Sequence, residues 1–143
     1  MRIVKLWRGR AKTASAMLFL CLAHAYIRFV PFQRWSGWLG TKSCDQRKDR
    51  DEGDAALEQG RRAAAVVARA AERLPFETKC LPRAIAVSWL LRRQSVAHSL
   101  VFAARPLHLR NSADALHAWV EVDRRTIMGD LPGPWLETLR LGD

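Results

Sequence analysis

The sequence predicts an α+β fold in which a cysteine opens a helix, that helix packs on a small antiparallel sheet, and further helices precede it. Three observations carry this. Up to Arg93 apolar residues recur at three- and four-residue spacing, and past Arg93 the spacing changes to alternation over short runs. At the junction, Cys80-Leu81-Pro82-Arg83 begins an apolar-periodic run ending in Arg92-Arg93, with proline where a first helical turn tolerates it. The unpaired amides and positive macrodipole at a helix start favour an anion, so a thiolate at Cys80 is stabilised there. Taken alone, Cys80 also reads as a small buried hydrophobe.

The chain has 143 residues, 49% hydrophobic and 27% charged, enough for one domain with its own core. Cys21, Cys44 and Cys80 show neither CxxC spacing nor histidines at zinc-ligand spacing, which argues for a reducing compartment without structural zinc or a disulfide framework. The net charge of +10 is concentrated early, since no Asp or Glu precedes Asp45. Such a segment suits nucleic acid, an anionic membrane surface or an acidic protein, but no nucleic-acid module accompanies it. We expect no nucleic-acid partner.

Residues 1–12 carry Arg2, Lys5, Arg8, Arg10 and Lys12, and an apolar run from Ala14 to Ile27 closes with Ala23-His24-Ala25. This imitates a secretory signal, yet Tyr26, Ile27, Phe29, Val30 and Phe32 continue the pattern past the cleavage-like site. A buried helix ending at Pro31 explains the run, whose uncharged part is shorter than a membrane span needs. Contact of residues 1–32 with a membrane surface or a partner stays open. Gln33 to Gly40 reads as a short amphipathic piece, with Trp35 and Trp38 one turn apart.

Residues 41–53 turn polar and read as a linker, dividing a single domain into an apolar and basic helical part at 1–40 and a core at 54–143. Asp54 is expected to cap a helix reaching Leu74, with Leu57, Ala64, Val67, Ala68 and Ala71 at helical spacing. The Cys80 helix follows. Ser99–Arg105 reads as a strand, Pro106–Ala113 as a loop, Leu116–Val122 as a second strand and Arg125–Gly129 as a third; Asp130–Trp135 then leaves the sheet.

In the second strand Leu116, Ala118, Val120 and Val122 share one face, and His117, Trp119 and Glu121 share the other. If Asp123-Arg124 is a two-residue turn, strict alternation pairs His117 with Asp130, within reach of a hydrogen bond that fixes the imidazole tautomer. A three-residue loop would shift that register by one. With the Cys80 helix packed against this face, Cys80, His117 and Asp130 form a nucleophile, a base and an orienting group, and the helix-start amides serve as oxyanion donors. His24, His98 and His108 lack comparable company and read as structural or exposed.

The residues then carry a resemblance. Cys80-Leu81-Pro82-Arg83, Leu90-Leu91-Arg92-Arg93, Leu100-Val101-Phe102 with Arg105, and His117-Ala118-Trp119-Val120-Glu121-Val122-Asp123 resemble the transglutaminase-like cysteine peptidase of lasso-peptide biosynthesis. More loosely they resemble the papain and transglutaminase catalytic core. Arg28-Phe29-Val30-Pro31-Phe32 and Trp38-Leu39-Gly40 resemble that family's N-terminal part. Gln94-Ser95 and Arg124 depart from it, where many members have glycine.

The resemblance implies a papain/transglutaminase-like core with Cys80, His117 and Asp130 as its catalytic triad. It implies removal of the leader from a ribosomally made precursor peptide by thioester-forming hydrolysis. The chain resembles the stand-alone form of the family. A separate leader-recognition protein is then a partner, for which the basic N-terminal half is a docking surface, and an ATP-dependent lasso cyclase acts afterwards. No cofactor is expected, any ATP dependence being indirect through the cyclase, and the setting is cytoplasmic. Acyl transfer to an amine and a non-catalytic binding scaffold are the competing readings.

Overall fold

The computed structural model describes residues 2–29, 31, 41–42, 50–109 and 115–142. Gln33–Gly40 and Cys44 therefore lie outside the described residues. Within them, three helices, α1 (Arg2–Phe29), α2 (Arg50–Ala71) and α3 (Cys80–Arg93), pack with a five-stranded sheet: β1 (Thr41–Lys42), β2 (Ser99–Ala104), β3 (Leu116–Val122), β4 (Arg125–Met128) and β5 (Leu136–Gly142). The strand order is β1-β5-β2-β3-β4 and every neighbouring pair is antiparallel. The architecture is the expected α+β, helices packed with one antiparallel sheet.

The helices pack on one another through small side chains. α1 buries Ala16, Leu20 and Ala23 and stops just before Pro31, which lacks the amide that a further turn requires. α2 buries Leu57, Ala63, Ala64, Val67, Ala70 and Ala71. Gly60 lets it approach the sheet closely, because a Cβ there would lie 2.9 Å from Val122 Cγ2 and 3.0 Å from Ile127 Cδ1. α3 is the central element, touching α1, α2, β2 and β3. Accordingly Ala84, Ile85, Ala86, Val87, Ser88 and Leu91 are all buried, more than the single stripe of a surface helix. Phe19 of α1 meets Trp89 of α3 edge to face, with centroids 5.9 Å apart.

Several boundaries differ from expectation: α2 ends at Ala71 short of Leu74, β2 at Ala104 short of Arg105 and β4 at Met128 short of Gly129. α2 begins at Arg50, so Asp54 lies inside the helix and pairs with Arg125 of β4 at 3.6 Å instead of capping. Thr41 and Lys42, expected in a linker, pair with Gly142 and Leu141 at the sheet edge. That pairing depends on β5, a strand not anticipated from the sequence. Its alternation is interrupted by a bulge between its pairings with Phe102 and Ala103, where Thr138 donates its hydroxyl hydrogen to the Phe102 carbonyl at 3.1 Å. The bulge spaces Leu136 and Leu139 by three residues, which hides the strand period.

β3 and β4 are joined by the expected two-residue turn. Asp123 and Arg124 have φ of 49° and 60°, the left-handed pair of a type I′ turn, and Val122 faces Arg125 while Glu121 faces Thr126. The register then shifts, and Val120 faces Met128 in place of Ile127. Ile127 and Met128 both pack on the core although they are adjacent in sequence. A regular strand sends neighbours to opposite faces, and the bulge reconciles the two.

Candidate active site

α3 opens directly on Cys80. Lys79 before it is extended, with φ −73° and ψ 176°, and no side chain caps the helix. Pro82 has no amide to satisfy, and the Arg83 amide reaches the Lys79 carbonyl only at 3.5 Å. Among the described residues the amides of Cys80 and Leu81 thus find no acceptor, at the positive end of the helix dipole and beside a free, half-buried thiol. The approach to this turn is held by buried Thr78, whose hydroxyl accepts from Arg83 Nε at 2.9 Å.

His117 is the second residue of β3 and is partly buried. Its Nε2–H donates to the Gly129 carbonyl at 2.6 Å. A carbonyl only accepts, so the proton of the neutral ring sits on Nε2 and the lone pair on Nδ1. Gly129 is suited to this role because its φ is +86° and a Cβ would fall 2.9 Å from the Ala118 carbonyl oxygen. The Trp135 ring lies against the imidazole, with centroids 5.1 Å apart and planes at 30°. Trp135 is itself tethered by a 3.0 Å bond from Nε1–H to the Leu131 carbonyl, and the Arg105 guanidinium lies over its ring at 4.7 Å.

The expected juxtaposition of His117 with Asp130 is not what the sheet forms. The bulge at Ile127 shifts the pairing by one, the carbonyl of Gly129 takes the imidazole proton's hydrogen bond, and Asp130 is exposed beyond the end of β4. The packing face also differs from expectation. The helices cover Ala118, Val120 and Val122, whereas His117, Trp119 and Glu121 alternate onto the other side. Cys80 and His117 share an end of the molecule and exchange no hydrogen bond. Residues 94–98 link α3 to β2, and buried Ser88 of α3 bonds His98 at 2.7 Å just before β2, so that α3 runs back along the strands. Its start accordingly lies toward the end of the sheet where His117 pairs with Ala103.

Beyond His117 the open face of β3 carries a bonded chain of polar groups. Trp119 Nε1–H donates to Glu121 at 2.6 Å, Arg140 Nη1 donates to the other Glu121 oxygen at 2.8 Å, and Arg140 also grips Glu137 through Nε and Nη2 at 2.9 and 3.0 Å. These bonds, that to Glu137 foremost, hold the Arg140 guanidinium above its ordinary pKa against the opposing effect of partial burial. Arg140 lies on the unanticipated β5, so Glu121's partner was not identifiable without that strand. Gly129 and Trp135 were likewise missed as contributors, whereas His98, read as structural or exposed, is buried and bonded to Ser88. Only the positive-φ glycine ending a strand was a signal in the sequence. Among the described residues no group of three His, Cys, Asp or Glu is placed to hold a metal ion.

A helix-opening cysteine and a tautomer-fixed strand histidine on an antiparallel sheet are the parts from which thiol-dependent catalysis is built. A family model described as Transglutaminase-like superfamily matches residues 21–138, and the chain belongs to that superfamily. The superfamily includes cysteine peptidases and acyltransferases and consists typically of cysteine-dependent enzymes. No curated protein and no solved structure matches the chain.

Proposed function

We propose that this chain is a cysteine peptidase that removes the leader from a ribosomally synthesised lasso-peptide precursor. The observation that carries it is the half-buried Cys80 thiol at the uncapped start of α3, toward the same end of the sheet as an imidazole whose Nδ1 lone pair is unengaged. In this reading the thiol and the imidazole, on opposite sides of the sheet, meet around the end of β3: His117 Nδ1 takes the thiol proton, and the thiolate attacks the carbonyl at the leader–core junction. The amides of Cys80 and Leu81 hold the oxyanion. The imidazolium returns its proton to the departing core amine, leaving the leader as a thioester that water hydrolyses. The Gly129 carbonyl orients the imidazole, and Asp130, the next residue, adds negative charge near the imidazolium. The reading draws its substrate from the Cys80 and His117 sequence blocks, and with it a separate leader-recognition protein, a later ATP-dependent cyclase and a cytoplasmic setting.

The test is mass spectrometry of a precursor peptide incubated with wild type and Cys80→Ala, with and without a leader-binding partner. We expect free leader and free core from wild type alone, the leader carrying the mass of added water. An amine adduct on the leader would make the enzyme an acyltransferase. Equal activity of Cys80→Ala would reduce the chain to a binding scaffold.

A further inference from the structure

α1 is apolar on two sides, and the core uses one of them. Ala16, Leu20 and Ala23 face α2 and α3 and are buried. A second stripe, Ala14, Leu18, Cys21, Leu22, Ala25 and Phe29, follows the three- and four-residue spacing of one helical face and is open to solvent. Leu18 is 58% exposed, Leu22 45% and Phe29 82%. The same spacing runs back in the sequence through Ala11, Trp7 and Val4, among Arg2, Lys5, Arg8, Arg10 and Lys12. No acidic residue occurs before Asp45.

We infer that α1 is a membrane-surface helix, which lays this stripe into the headgroup boundary of an anionic bilayer while its other side holds the catalytic helix. Four points favour a bilayer. The exposed stripe runs from Ala14 to Phe29 along one side of a helix of 28 residues, about 42 Å long, a straight edge that a planar boundary matches. Its aromatic and aliphatic side chains are of the kind that seat an interfacial helix. No acidic residue occurs in the helix, and by helical spacing Arg10 and Arg28 flank the stripe, so a second copy docking by the same face would oppose like charges, whereas anionic headgroups neutralise them. Finally, a surface placement asks only one face of the helix to be apolar, and no helix among the described residues is long and apolar enough to cross a membrane. The inference is independent of the chemistry proposed at Cys80.

The experiment is co-sedimentation of the full chain with vesicles of phosphatidylcholine alone and of phosphatidylcholine with an equal share of phosphatidylglycerol. Three proteins are compared: wild type, Leu18→Gln/Leu22→Gln/Phe29→Gln, and Arg10→Gln/Arg28→Gln, each with its helix content checked by circular dichroism. The exposed stripe positions leave the core intact. Wild type is expected to bind the anionic vesicles only, with binding that weakens as salt rises. Partitioning should fall about fivefold for each cation removed, and the stripe variant should lose it. Equal binding to both vesicle types, or unchanged binding by the stripe variant, overturns the inference. Concentration-dependent dimerisation that the stripe variant abolishes, without vesicle binding, replaces the bilayer with a second copy. Binding of polyglutamate without vesicle binding replaces it with an acidic protein. Precursor cleavage by the stripe variant reports the Cys80 chemistry separately.

Discussion

At the residue scale the decisive atom is the Gly129 carbonyl oxygen, because it settles which nitrogen of His117 carries the proton. In the proposed reaction, orientation of the base therefore rests on backbone, and the exposed Asp130 carboxylate acts only through its charge. Asp130→Asn is accordingly expected to retain most of the precursor-cleaving activity, since exposed charges interact weakly through water. His117→Gln removes the proton acceptor and is expected to lower kcat by about 10² to 10⁴-fold. Single-turnover cleavage of the two variants with saturating precursor makes the comparison. A loss for Asp130→Asn as deep as that for His117→Gln would mean that the carboxylate replaces the carbonyl on the imidazole during turnover, restoring the triad expected from strict alternation. The places of Cys80 at a helix start and of His117 on the open face of a strand were legible because each rests on local pattern: a proline in a first turn, and alternation along one strand. The third position was not, because it depended on counting across a hairpin in which one extra residue changes every later pair.

At the scale of elements, β3 was legible to the residue and α3 began where its proline indicated, since both are bounded by strong local signals. β5 was hidden by its bulge at Thr138, and the early start of α2 by a polar first turn whose Gly53 and Asp54 meet the β3–β4 hairpin rather than the core. The adjacent apolar pair Ile127-Met128 was the available sign of the β4 bulge, because both side chains seek the core and a regular strand buries only one. The close approach of α2 to this hairpin gives a test. Gly60→Ala relieves the helix-propensity cost of glycine by about 1 kcal/mol, yet it drives a methyl group to 2.9 Å from Val122 and 3.0 Å from Ile127. Overpacking of a filled contact costs about 1 to 3 kcal/mol, so the steric effect prevails and urea denaturation is expected to show a net loss of stability. A gain would mean that α2 stands farther from the sheet.

For the whole molecule, the question is what makes the helical layer and the sheet a single body, given that the proposed nucleophile belongs to one and the base to the other. Apolar contact of α3 with β2 and β3 supplies much of the cohesion but little directionality. The buried pair of Ser88 and His98 supplies the direction. His98 Nδ1–H donates to the Val96 carbonyl at 2.8 Å, which leaves Nε2 as the acceptor for the Ser88 hydroxyl at 2.7 Å. The bond fixes the middle of α3 to the residue that enters β2, and with it the register between the two layers. Ser88→Ala leaves the buried His98 Nε2 without that donor, a loss of about 1 to 3 kcal/mol. If helices and sheet unfold together, the urea midpoint falls while the slope of the transition stays that of wild type. A reduced slope, or helical signal lost at a different urea concentration from sheet signal, would show that α3 separates from the strands before they unfold. In that event Cys80 and His117 would be held at the same end of the molecule by the apolar contact alone, and the Ser88–His98 bond would be what keeps thiol and imidazole within one cooperative structure.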